Sequence, residues 1–182
     1  MQQTDFDLLH NISAGKHFYQ FYKTSEDYLK VIAPYLQSGL EKGEACLWLV
    51  SAKIGVERAC DYVRTWIPQA AASLACGRLQ ILSGEEWYLT GGEFDEAKAI
   101  ANALKYLEQV QKQGFKILRG SGDAGAIPRT DWPKVQIYEK KMAPWIKSQP
   151  VIALCAYPIL ECTLTETKAV LDCHDDVLIG RF

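Results

Sequence analysis

Residues 46–50, Cys-Leu-Trp-Leu-Val (CLWLV), are apolar at every position. A strand with one wet face would alternate apolar and polar side chains, so an unbroken run of strand length points to a strand covered on both faces. Four further runs are nearly continuous rather than alternating: LQIL at 79–82, FKIL at 115–118, VIALCAY at 151–157 and VLIG at 177–180. Helical periodicity fills the gaps between them. Over 25–40, apolar residues recur at Tyr28, Leu29, Ile32, Tyr35, Leu36 and Leu40, with Pro34 expected to kink the helix. A second helix carries Val56, Ala59, Cys60 and Val63. A third, over 95–113, aligns Ala97, Ile100, Leu104 and Leu107 and stops at Gly114. A fourth begins near Thr130 or Asp131 and buries Val135, Tyr138, Met142 and Trp145. A fifth opens with the capping-box spacing Thr163…Glu166. Strands alternating with helices require right-handed crossovers, which gives an α/β three-layer sandwich with a mostly parallel central sheet.

The chain totals agree with a single soluble domain. Its 182 residues are enough to bury a full core, and 48% hydrophobic with 23% charged residues is ordinary for a globular protein. A net charge of −2 supplies no electrostatic footprint for nucleic acid. No apolar run approaches the roughly 18 residues of a membrane span, and the N-terminus lacks a signal pattern, so neither membrane nor export is expected. The six cysteines form no C-x-x-C pair. Reduced thiols and a cytoplasmic location are the expectation, with Cys155 reading as a small buried hydrophobe.

The segment GSGDAG at 120–125 has the spacing of a dinucleotide-binding turn. That fingerprint needs a helix starting at its third glycine and an acid closing the next strand about 20 residues on. Pro128 follows Gly125 too soon, and the acid at that distance, Glu139, lies inside a helix. A Walker-type phosphate loop is absent as well, since the one Gly-Lys pair, Gly15-Lys16, is followed by His17. The glycines therefore read as a flexible strand-to-helix loop, and no cofactor is specified.

In parallel sheets, ligands bind beyond the carboxyl ends of the strands. That rule selects Glu86 with the aromatics Trp87 and Tyr88 after the second strand, suited to enclosing a ring-bearing or cationic ligand. It also selects Asp123, with Tyr138, Glu139 and Tyr157 as further candidates, a carboxylate beside a phenol being able to move a proton. No nucleophile with an adjacent base is visible, and no metal-ligand spacing. The chain is therefore expected to be non-catalytic and to hold no metal; His10 and His174 read as surface residues.

The most distinctive segment is 15–22, GKHFYQFY, followed by the Pro34 helix and by SGLEKGEACLWLVS at 38–51. With EEWYLTGGEFD (85–95), LRGSGDAGAI (118–127), Tyr138-Glu139 and ALCAY (153–157), this order resembles the MEDS family, a methanogen/methylotroph sensory domain also found in a dichloromethane-responsive regulator. The resemblance implies a RecA/KaiC-type fold without its phosphate loop, and a domain that senses small molecules such as hydrocarbon derivatives. It further implies a regulatory partner, a kinase or transcription factor, or output through self-association. The family usually has cysteine two residues after the histidine, whereas this chain has Tyr19. One partner of a His/Cys metal or redox pair is thereby lost.

Together these readings predict one sensory domain over 1–182, with residues 1–24 as an N-terminal segment and 25–182 as the core. Its ligand pocket would lie at the carboxyl edge of the sheet. His17, Tyr19 and Tyr22 would approach from the N-terminal segment, and Glu86, Trp87 and Asp123 from the loops. Gly91-Gly92 would hinge the loop after the second strand. The alternative is a KaiC-like nucleotide-binding or ATPase domain with a degenerate phosphate loop.

Overall fold

Strand-forming runs covered on both faces need helices above and below, and the computed structural model, which describes residues 9–178, has that arrangement. Six parallel strands form the central sheet: β1 (Lys16–Tyr22), β2 (Ala45–Val50), β3 (Leu79–Ser83), β6 (Leu118–Asp123), β7 (Val151–Pro158) and β8 (Asp176–Val177), in the order β3-β2-β6-β7-β1-β8. The helices are α1 (Ser25–Glu41), α2 (Val56–Trp66), α3 (Ala70–Ala75), α4 (Gly84–Tyr88), α5 (Glu96–Lys112), α6 (Trp132–Ser148) and α7 (Leu164–Cys173). The α/β class with a parallel central sheet is thus present. Among the described residues, no helix is long and apolar enough to cross a membrane.

Strand alternation sorts the core into two apolar layers. On one face, Phe18, Tyr22, Cys46, Trp48, Ile152 and Leu154 pack against α1 and α2. On the other, Leu47, Leu49, Leu118 and Val151 pack against α4, α5 and α6. A smaller cluster on this second side joins Tyr157 to Trp132 and Val170, with Tyr19, Phe21 and Cys155 packed against it.

Three expectations change. Segment 16–22 is not an approach to the core but a strand inside the sheet, paired in parallel with both β7 and β8. Its aromatic content, with Phe18, Tyr19, Phe21 and Tyr22 among seven residues, is the strand signal in the sequence. The FKIL run is not the third strand: β6 runs over Leu118–Asp123 and takes up most of the glycine segment. A glycine-rich stretch can pair in a sheet because its backbone hydrogen-bonds like any other; only side-chain packing is given up. Gly91 and Gly92, with φ of 60° and 87°, form the tight turn between the short antiparallel strands β4 (Leu89–Thr90) and β5 (Glu93–Phe94), not a hinge in an open loop. Of the run 177–180, Val177 lies in β8 and residues 179–180 are outside the described residues.

Helix starts follow their caps. Thr24 and Asp27 form a full capping box at α1, as do Thr163 and Glu166 at α7, and Asp95 caps α5. Helix α1 continues through Pro34.

The α1 layer holds a buried ion pair. Arg119 Nε donates to Glu44 Oε2 at 2.6 Å, with the two side chains 0% and 3% exposed. The guanidinium also lies 5.0 Å from the centroid of Tyr35. A Cβ at Gly39 would fall 2.7 Å from Arg119 Cδ and Nε, so glycine is what admits the arginine here. Removing one partner of a buried pair strands the other's charge at about 3–5 kcal/mol. Glu44→Ala is expected to lower stability by that amount in urea unfolding, and Glu44→Leu with Arg119→Met to restore most of it; an unchanged midpoint for Glu44→Ala would contradict the pairing.

Candidate functional site

The register across the sheet aligns Leu47, Gly120, Ala153 and His17 in one row. Gly120 has no side chain to offer, and a Cβ built on it would meet nothing within 4 Å. The resulting cavity, about 110 Å³, lies between the sheet and helices α4, α5 and α6. Leu47, Leu49, Met142 and Ile146 make much of its wall, and two half-buried tryptophans, Trp87 and Trp145, line it as well. One end is polar: His17, Glu139 and Cys155.

Four elements meet at that end. β1 carries His17, α6 Glu139 and β7 Cys155, while His174 caps the C-terminus of α7. The short strand β8 fixes the last of these. Asp175 N donates to the His17 carbonyl at 2.7 Å, and His17 N donates to Asp175 Oδ2 at 2.9 Å, so the chain after α7 is tied to β1 at the histidine itself. The two imidazoles lie with centroids 3.9 Å apart.

His17 Nε2 is 3.2 Å from Cys155 Sγ and 3.5 Å from Glu139 Oε2. His174 Nε2 is 4.0 Å from the same carboxylate oxygen. Tyr157 donates its hydroxyl to Glu139 Oε1 at 2.8 Å. His174 Nδ1 is 2.7 Å from the Val170 carbonyl, which can only accept, so Nδ1 carries the proton. Burial holds His17 down at about 4, with the nearby His174 also lowering it and Glu139 opposing both, so the ring is neutral at neutral pH. Burial, reinforced by the Glu139 charge, pushes the Cys155 thiol well above its usual range. A thiol beside an imidazole is therefore present, but it stays protonated and is not an activated nucleophile.

The residues expected to share one site are divided between the two faces of the sheet. His17, Trp87, Tyr88, Tyr138 and Glu139 line the cavity, and Tyr157 reaches it through Glu139. Tyr19 stands on the same side, its ring 5.6 Å from that of His174. Tyr22 and Asp123 face α1, where Tyr22 donates to Asp123 Oδ1 at 2.7 Å and stacks on Tyr28. Asp123 Oδ1 also accepts from Gly125 N at 2.8 Å, closing the short turn after β6. Burial raises the Asp123 carboxyl, against hydrogen bonds from Ser51, Tyr22 and Gly125. Glu86 is exposed and belongs to neither set. The cavity thus lies against the sheet's face rather than beyond its carboxyl edge. The missing side chain at Gly120, in mid-strand, is the reason.

Two residues of the cluster escaped sequence reasoning. His174 is no surface residue: its side chain is 0% exposed. Nothing near it in the sequence signals this, because its partners come from the opposite end of the chain; His10 is likewise partly buried. Cys155 packs against the core, as a small hydrophobe would, and it also stands opposite Tyr19 in the β1–β7 register, which brings a thiol to the cluster from the neighbouring strand.

The α/β domain thus carries a largely apolar pocket with His17, Glu139 and Cys155 in its wall. The family model described as MEthanogen/methylotroph, DcmR Sensory domain (MEDS) matches residues 16–175, and the chain belongs to that family. No curated protein matches the chain.

The two glycines of β6 should respond oppositely to a methyl group. Gly120→Ala meets open space and is expected to stabilise by roughly 0.5–1 kcal/mol, the usual gain over glycine in a strand. A Cβ at Gly122 collides with the buried Tyr88 hydroxyl, so Gly122→Ala is expected to destabilise by about 1–3 kcal/mol. Urea unfolding checks both, and equal effects would contradict the placement of the cavity.

Proposed function

We propose that this chain is a non-catalytic small-molecule sensory domain whose ligand enters the cavity over Gly120. The carrying observation is the cavity itself, apolar over most of its wall and closed at one end by His17, Glu139 and Cys155. Its volume of about 110 Å³ is somewhat below the ~150 Å³ that takes up benzene, which favours a ligand of only a few heavy atoms. A hydrocarbon derivative matches that chemistry, its apolar body against Leu47, Leu49 and Met142 and its polar or halogen substituent toward His17. Membership of a family named as sensory supports the same reading.

Ligand binding acts through any difference in affinity between two states of the domain. Helix α6 is the element placed to report it, since Tyr138, Glu139 and Met142 line the cavity while Ile137, on the same helix, is 52% exposed. The receiver is a regulatory protein, a kinase or transcription factor, or a second copy of the chain, and the domain works in the cytoplasm.

The nucleotide-binding alternative finds little support in the geometry. The β1–α1 connection is Lys23-Thr24 alone, and the α1 N-terminus is already capped by Thr24 and Asp27, leaving no open cradle for a phosphate. Native mass spectra of the purified chain, as isolated and after adding Mg-ATP, separate the readings. A small non-covalent adduct lost on denaturation, with ATP ignored, is the expected result; stoichiometric ATP uptake would overturn it.

A further inference from the structure

We propose that His17, Glu139, Cys155 and His174 bind a zinc ion at the polar end of the cavity, an inference that deepens the sensory reading and rests on the same site. One ligand atom from each residue lies within 4.8 Å of the other three. The separations of 3.2, 3.5 and 4.0 Å compare with tetrahedron edges of about 3.3–3.7 Å for bonds of about 2.0–2.3 Å to N, O and S. With every separation within 4.8 Å, the four atoms already lie close to that spacing.

The unpartnered atoms make the stronger argument. His174 Nδ1 is taken up by the Val170 carbonyl, which leaves Nε2, facing Glu139 Oε2, as the ring atom available to a metal. Neither atom has a hydrogen-bond partner among the described residues, although both are buried. Buried polar atoms left without a partner are costly. A divalent cation supplies a partner to both, and to His17 and Cys155 as well.

Supporting contacts of the kind that orient metal ligands are already in place. His174 is fixed through Nδ1 by a backbone carbonyl, and Glu139 is held through its other oxygen by the Tyr157 hydroxyl. Charge balances too: two neutral imidazoles, a carboxylate and a thiolate around a dication sum to zero, the least costly state for a buried cluster. Binding breaks the Cys155 S–H bond, and the proton leaves to buffer. Two nitrogens and a sulfur favour zinc over magnesium or calcium, which prefer all-oxygen sites. His17, Glu139 and Cys155 also line the cavity, so a metal here would form part of the wall that a ligand meets.

The test uses the whole chain, stripped with chelator and dialysed against buffered Zn(II) or Co(II). One metal per chain is expected, with a thiolate-to-Co(II) charge-transfer band and the intense visible bands of a tetrahedral centre. Cys155→Ser should abolish the charge-transfer band, and His174→Gln should lower affinity. Tyr157→Phe, which touches no metal and keeps the ring packing, should weaken binding about 10–100-fold. Substoichiometric uptake by the wild-type chain, or the same thiolate band in Cys155→Ser, would overturn the proposal. Failure here, with a small-molecule adduct still present in native mass spectra, would sink the metal and leave the sensory reading standing.

Discussion

Burying the Glu139 carboxylate costs several kcal/mol of lost hydration unless its neighbours replace the water. Tyr157 gives it one hydrogen bond, and the histidines of β1 and of the α7 C-terminus approach its other oxygen. The demands of this one group explain much of the surrounding architecture. Helix α6 must lie flat on the sheet to deliver it. The chain after α7 must return along β1 so that His174 arrives, and Asp175 bracketing the His17 backbone secures that return. Were the carboxylate absent, the aromatic cluster of Tyr19, Phe21, Tyr157 and Trp132 would form an ordinary apolar corner.

The second constraint is subtractive. Parallel sheets are normally filled from both sides by branched side chains, as β2 is here with all six residues buried. β6 instead places Gly120 and Gly122 on the α5/α6 face. Tyr88 reaches over one of them, and nothing covers the other. On the opposite face the same strand carries Arg119, Ser121 and Asp123, each joined by hydrogen bonds to residues of other elements: Glu44, Tyr28 and Tyr22. The strand thus separates a polar, fully packed side from a side left open. A hydrophobic cavity beside a polar cluster follows from this asymmetry.

Much of the fold was legible because the continuous runs at 46–50, 79–82 and 151–157 state their double burial directly, and the capping residues Thr163 and Asp95 mark helix starts locally. What stayed hidden depended on pairing at long range. β1 shows no clean alternation, and its place inside the sheet, one strand from the edge, follows only from its partners β7 and β8. The strand β6 was masked by its glycines, which resemble a loop in composition. At the polar end of the cavity, His17 and Glu139 were noticeable in the sequence, one in a distinctive histidine segment and the other in a Tyr-Glu pair. Cys155 and His174 were not, because a thiol in an apolar run and a histidine in a polar one acquire meaning only when the register of β1 against β7 and β8 brings them together. The expected grouping of Tyr22 and Asp123 with His17 fails because residues an odd number of positions apart in a strand point to opposite faces, which puts Tyr22 across the sheet from His17 and in contact with Asp123.

The central claim is that a small ligand enters the face of the sheet over Gly120, beside His17 and Glu139, and not the loops at its carboxyl edge. Methyl-detected NMR spectra of the chain under xenon pressure test this most directly, because xenon occupies apolar cavities without requiring the natural ligand. The account predicts shifts at Leu47, Leu49, Met142, Ile146 and Ala153 that disappear in Gly120→Leu. Shifts confined to other methyl groups, or an unchanged response in that variant, would contradict it.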